Sequence, residues 1–327
     1  MKTFLIKILL IIFIPLICLL GLYVISDPFK TLNPFNLREF SVVNRDYLSS
    51  ELFLKNYSKE KYNSFIFGSS RGCGINTYLW RSYLPENAKQ FLFQAWGESI
   101  TGIYQKFQYL NNHDVDINNA LILIDMPGSF DKIQESTTAI GLKHYKFSGK
   151  SELYFQYHLF KAFIKPSLIF ESFRQLIVKP NYTIGFDTIS NDWNIKNKEN
   201  WNKIPAQDST LNKAKFKERP AIEKMMPKVI TADNKIIMNK IASILKAKKT
   251  NYKVIITPSY DQLKINNEDF KILQQVFGVE NVYNFSGKNE LTEDKYNFMD
   301  INHFDLVVGR KILMEIYHKP LITNHNQ

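Results

Sequence analysis

Only two cysteines occur in 327 residues, and their places exclude a disulfide framework. Cys18 lies in an apolar run near the N-terminus and Cys73 follows a strand-like segment, so no bridge between them is expected. Leu16-Ile17 before Cys18 lacks the small residue that lipoprotein processing needs, which argues against lipid attachment there. The six histidines are scattered. His113, His144 and His158 have no His, Cys or carboxylate partner at ligand spacing, so no metal set and no cofactor are expected. Glycine-rich phosphate loops, internal repeats and low-complexity tracts are absent as well. A second long apolar run is also missing, which leaves the first one as the single membrane-spanning candidate.

That first run is the clearest positive feature. Lys2 and Lys7 precede a charge-free stretch over residues 8–25, interrupted only by Pro15. Eighteen residues at a helical rise of ~1.5 Å span about 27 Å, close to the hydrocarbon thickness of a bilayer. Val24 and Ser26 make a poor cleavage site, so residues 1–25 are expected to stay as an anchor. The short basic tail should remain inside, placing the body on the extracytoplasmic side as a single-pass protein. Apolar residues at 45% and aromatics at 14% suffice for a sizeable core, which argues against global disorder. Lys and Arg outnumber Asp and Glu 42 to 31, with much of the excess between residues 213 and 253. This balance favours anionic surroundings but is also that of a solvated face. Nucleic acid is not an expected partner across a membrane.

Residues 26–63, with Pro28 and Pro34, read as a juxtamembrane connector. Short apolar runs then alternate with helical periods. Ser64-Phe65-Ile66-Phe67, Gln90-Phe91-Leu92-Phe93, Ala120-Leu121-Ile122-Leu123-Ile124, Lys253-Val254-Ile255-Ile256-Thr257 and Val282-Tyr283-Asn284-Phe285 read as buried strands, several stopped by Gly or Pro. Residues 100–110, 236–248, 270–277 and 306–317 read as helices. The implied fold is α/β, a three-layer α/β/α parallel sheet over residues 64–320. Residues 131–232 lack the strand pattern and are too long for a loop. They predict a helical insertion, with aromatic-rich helices over 153–163 and 168–178 and a loop carrying Trp193 and Trp201. The Tyr and Phe side chains of 153–173 could line a groove, but their helical spacing is first that of a core.

Two segments could carry chemistry. Phe67-Gly68-Ser69-Ser70-Arg71-Gly72 lies where the first strand ends, the edge at which doubly wound sheets bind ligands. Alone it is equally a small polar turn. Asp300-Ile301-Asn302-His303-Phe304 precedes the last helix, and a hydroxyl nucleophile needs both a base and a group that orients the base. Together they resemble the SGNH/GDSL hydrolase superfamily, from about residue 64 to 317, with the insertion unaccounted for. Gly68-Ser69-Ser70-Arg71 is similar to the membrane-anchored variant in which Ser replaces the usual Asp before the nucleophile, as in relatives of the D-alanine-transfer protein of teichoic acid synthesis. The resemblance implies Ser70 as nucleophile, His303 as general base and Asp300 as its orienter. It also implies an oxyanion hole from the N–H groups of Ser70 and Gly97. A third donor of the family, an asparagine after the next strand, is replaced here by Asp125-Met126-Pro127-Gly128. Losing such a donor can cost ~2.7–4 kcal/mol of transition-state stabilisation. Arg71 either binds an acidic substrate group or lays its stem along the first helix. The function so implied is a serine esterase or O-acyltransferase acting on acyl groups of an envelope glycan or lipid, the alternative being a non-catalytic accessory protein on the same fold.

Overall fold

The computed structural model describes residues 2–34, 44–130, 138–178, 187–192, 218–219 and 221–318. In chain order the elements are α1 (Lys2–Ser26), α2 (Arg45–Glu60), β1 (Ser64–Gly68), α3 (Thr77–Arg81), β2 (Gln90–Gln94), α4 (Ile100–Asn112) and β3 (Asn119–Ile124). There follow α5 (Tyr145–Ser148), α6 (Glu152–Phe163), α7 (Pro166–Ile177), α8 (Ala232–Ala247), β4 (Asn251–Ile256), α9 (Asn267–Phe277), β5 (Val282–Asn284), α10 (Glu290–Glu293) and α11 (Leu306–Tyr317). The chain divides into two compact units, residues 1–48 with 135–185, and residues 49–134 with 186–327.

The larger unit is built on five parallel strands in the order β2-β1-β3-β4-β5. That is the strand order of flavodoxin-like doubly wound sheets. The residues of β1 and β3 are buried throughout, which is why these strands read as apolar runs without alternation. The pleat sends Ile66, Leu92, Leu121, Leu123 and Ile255 to one face, where they pack with Leu79 and Trp80 of α3 and with Val308, Ile312 and Leu313 of α11. On the other face Phe53 of α2 stacks on Phe93 at 5.3 Å and Phe107 of α4 meets Phe67 at 4.2 Å. Residues 187–192 run beside β2. The Leu92 N–H donates to the Ser190 carbonyl at 2.9 Å, and the Asn191 amide donates to the Leu92 carbonyl at 2.6 Å.

This short segment is held by a buried carboxylate. Asp192 accepts from the Thr77 N–H at 3.1 Å and from the Ser190 hydroxyl at 2.9 Å. Burial pushes its pKa up to about 6, against the hydrogen bonds from Thr77 and Ser190 that pull it down. The unfolded chain releases this proton near pH 4 while the folded chain keeps it to about pH 6. The contribution to stability is therefore greatest at low pH and falls as pH rises through that window. Between about pH 4.5 and pH 7.5 the unfolding free energy of the parent should fall by roughly 2 kcal/mol relative to Asp192→Asn. Urea titrations of both proteins at the two pH values check this, and parallel pH profiles would refute it.

In the smaller unit α1 is long and apolar enough to cross a membrane, and nearly all of it is exposed within the protein. It ends at Ser26, and the carboxylate of the next residue, Asp27, collects the N–H groups of Thr31, Leu32 and Asn33 in a tight turn. Asn44 donates to the carbonyls of Ala139 and Leu142 at 2.8 Å, and Tyr47 stacks on His144 and Phe155. His144 is fully buried and its Nδ1 accepts from the Lys146 N–H, so it is a packed residue of this core.

Several details go beyond what the sequence predicts. Residues 45–60 within the expected connector form a helix. The apolar side chains of α2 point to more than one side, Tyr47 into the aromatic cluster of the smaller unit and Phe53 onto the sheet, so no single stripe shows in the sequence. The described residues 138–178 belong to the unit that holds the N-terminal residues, and 187–192, 218–219 and 221–232 to the unit that holds the sheet. Over residues 138–178 of the expected insertion the elements are helices, with Pro166 opening α7 at its first turn, where a missing N–H costs nothing. Residues 131–137, 179–186 and 193–217, with Trp193 and Trp201, lie outside the described residues. Of the aromatics over 153–173, Phe155 and Phe163 are core whereas Tyr157, Phe170 and Phe173 are exposed. Cys73 is half-buried, and neither cysteine is in a disulfide.

Candidate active site

β1 stops at Gly68, where a Cβ would come within 2.7 Å of the Leu123 Cβ on β3, so the strands approach this closely only with glycine there. Ser69 is extended and caps a 3₁₀ turn over Ser70–Gly74, its Oγ accepting the Arg71 N–H at 3.2 Å. That turn lifts Ser70 over the carboxyl edge of the sheet. The residues 298–304 close into a narrow loop through a bridge between Phe298 and Phe304, and both rings are sunk in the core. The loop presents His303 to the same edge.

The Ser70 Oγ and the His303 Nε2 are 2.9 Å apart, although 233 positions separate the residues in sequence. The His303 Nδ1 is 2.9 Å from both carboxylate oxygens of Asp300. Because an ionised carboxylate can only accept, the proton belongs on Nδ1, and Nε2 turns its lone pair to the Ser70 hydroxyl. Asp300 also receives the N–H groups of Asn302 at 2.7 Å and His303 at 3.0 Å, so one carboxylate sets both the ring and the loop that carries it. Burial pushes the Asp300 carboxyl up, but the hydrogen bonds from the His303 ring and from the N–H groups of Asn302 and His303 outweigh it. The net effect holds it below the ordinary carboxylate range.

Around this chain lies a second set of contacts that sequence reasoning missed. Asp125, at the end of β3, accepts from the hydroxyl of Ser69 and from that of Thr257 after β4, the latter at 2.7 Å. Arg71 donates from Nη1 to Thr257 at 3.1 Å and from Nε to the Asn302 carbonyl at 2.9 Å. Its guanidinium therefore ties the His303 loop to the strand ends, rather than the stem simply lying along a helix. Strand-end polar residues on adjacent strands were the available signal for Asp125 and Thr257. No local pattern pairs them with Ser69 and Arg71.

Gly97 follows β2, the strand beside β1, and in the β1–β2 register Gly68 faces Gln94. It is exposed, with φ +55, a left-handed conformation that suits glycine. The neighbouring Glu98 is buried and ion-paired with the equally buried Lys106 of α4, and it accepts the Ser99 N–H at 3.1 Å. The turn bearing Gly97 is thereby pinned to α4 from beneath. This pair too escaped notice in the sequence. Among the described residues no cluster of three His, Cys, Asp or Glu side chains is arranged to hold a metal ion.

In comparisons with known proteins, no family model and no curated protein matches the chain.

Proposed function

We propose that the protein is a membrane-anchored serine esterase or O-acyltransferase of SGNH/GDSL type, a three-layer α/β/α domain acting on acyl groups of an envelope glycan or lipid. The observation that supports this reading most is the unbroken Ser70–His303–Asp300 hydrogen-bond chain at the carboxyl edge of the sheet. In the proposed reaction the Ser70 Oγ attacks the acyl carbonyl as His303 Nε2 takes its proton, and Asp300 stabilises the imidazolium that forms. The N–H groups of Ser70 and Gly97 receive the oxyanion. Collapse expels the alcohol, which takes its proton from His303 and leaves an acyl group on Ser70. Water or a glycan hydroxyl then enters by the same route, completing hydrolysis or transfer. The anchor is α1, with Lys2 and Lys7 on the cytoplasmic side by the positive-inside rule.

One observation favours a second reading, a non-catalytic accessory protein on this fold that binds envelope polysaccharide. Where the family has an asparagine donor stands Asp125, whose carboxylate is occupied with Ser69 and Thr257. A fluorophosphonate probe applied to the detergent-solubilised full chain separates the two. Labelling that disappears in Ser70→Ala supports the enzyme. An unlabelled parent supports the accessory protein.

A further inference from the structure

We propose that α7 is a second membrane-contacting element, lying in the interface of the leaflet from which α1 emerges, with its open apolar side against lipid acyl chains. The inference rests on the anchorage by α1 proposed above and not on the chemistry at Ser70. At about 100° per residue, the side chains of Leu168, Leu176, Ile169, Phe173, Ile177 and Phe170 fall within one arc of about 200°, broken only by the buried Ser172 between Leu168 and Leu176. Ser167 and the ion-paired Glu171 and Arg174 fill the opposite side. Only part of the arc is covered. Leu168 and Ile169 pack against the aromatic cluster of this unit, which Leu19, Leu22 and Tyr23 of α1 also join, and the two helices are in contact. Phe170, Phe173 and Ile177 are 71%, 57% and 70% exposed. A soluble helix places such residues inward, and an arc twice as wide as its protein contact calls for a second apolar neighbour.

What that neighbour is follows from α1. The residues of α1 that share this cluster with α7 lie three to seven positions before its end at Ser26, about 5–10 Å along the axis. That is the depth to which interfacial amphipathic helices sink into the headgroup and acyl boundary. On the same stretch of α1, Ile17, Leu20 and Val24 are themselves open, so the bare side of α7 continues a surface that already faces lipid if α1 spans. The basic residues next to α7, Lys161 and Lys165, are exposed and of a kind that meets phosphate headgroups.

The test uses the full chain reconstituted in phosphatidylcholine vesicles containing lipid brominated either at carbons 6 and 7 or at carbons 11 and 12. Phe173→Trp and Phe13→Trp are each compared with the parent, so that the native tryptophans cancel. The fluorescence added at position 173 should fall at least twofold with the shallow bromines and resist aqueous iodide, while that at position 13 should be quenched most by the deep bromines. Quenching at 13 without quenching at 173 overturns the placement of α7 and leaves the anchor standing. If 173 then responds to iodide it faces water, and if it responds to neither quencher it is covered by protein. Absence of bromine quenching at both positions removes the anchor, and the proposal for α7 falls with it.

Discussion

Replacing Ser70 or His303 by alanine should reduce kcat for an aryl acetate by roughly 10⁴- to 10⁶-fold, the loss seen when a serine nucleophile or its base is removed. The two residues are joined by a 2.9 Å contact and act on one proton, so the double variant should be no slower than either single one. KM should change little, because neither side chain is placed to bind the ground state alone. Asp300→Asn tests the third member differently. The structure needs an acceptor facing Nδ1, and an amide can turn its NH₂ there. The ring proton would then shift to Nε2, which could no longer accept from Ser70. A loss of up to about 10⁴-fold is expected, with the fold intact. The carboxyl of Asp300 is held below its ordinary range, so it should remain ionised wherever the assay is run. Steady-state kinetics on the purified full chain decide the matter. If Ser70→Ala and His303→Ala hydrolyse the ester as fast as the parent, Ser70 is not the nucleophile and the hydrolase reading is wrong.

The parts of this protein that were legible in sequence are those whose cause is local. A strand buried on both faces must be apolar throughout and must stop at a residue that cannot continue it, so Gly68 and Pro258 mark two strand ends directly. Gly-Ser-Ser-Arg after such a strand, and Asp300 with His303 before the last helix, stand out for the same reason. The helix α2 did not, because its apolar residues are divided between two clusters and leave no single stripe. The contacts that shape the site were hidden for a different reason. Asp125 meets Ser69 across 56 positions and Thr257 across 132, while Arg71 reaches the Asn302 carbonyl across 231. Each pair exists only once the parallel sheet has aligned the ends of β1, β3 and β4, and no residue in it is unusual for its own segment. The same holds for Glu98 and Lys106, which as isolated residues read as an ordinary solvated acid and base.

Gly309→Ala should lower kcat of the proposed esterase activity about a hundredfold, although it lies in α11, six residues beyond His303. In an exposed helix this change would be stabilising by roughly 1 kcal/mol. Here the outcome reverses. A Cβ on Gly309 would fall on the carbonyl oxygen of Gly74, and a Cβ on Gly74 would fall on the ring of Phe304. The turn that carries Ser70 and the helix that follows His303 are thus in backbone contact, and that contact brings the two functional segments together. Neither carbonyl nor helix can yield like the end of a flexible side chain, so α11 must move away, at a cost of about 1–3 kcal/mol for overpacking. A displacement on the order of 1 Å at His303 is enough to lower the rate about 10²-fold. The thermal midpoint should therefore fall together with kcat, while unfolding stays cooperative. Lys311→Ala, on the exposed side of the same helix, should change stability by no more than about 0.5 kcal/mol and leave kcat unchanged. A Gly309→Ala protein with a raised midpoint and the parent's kcat would show that the glycine contact does not set the distance between Ser70 and His303.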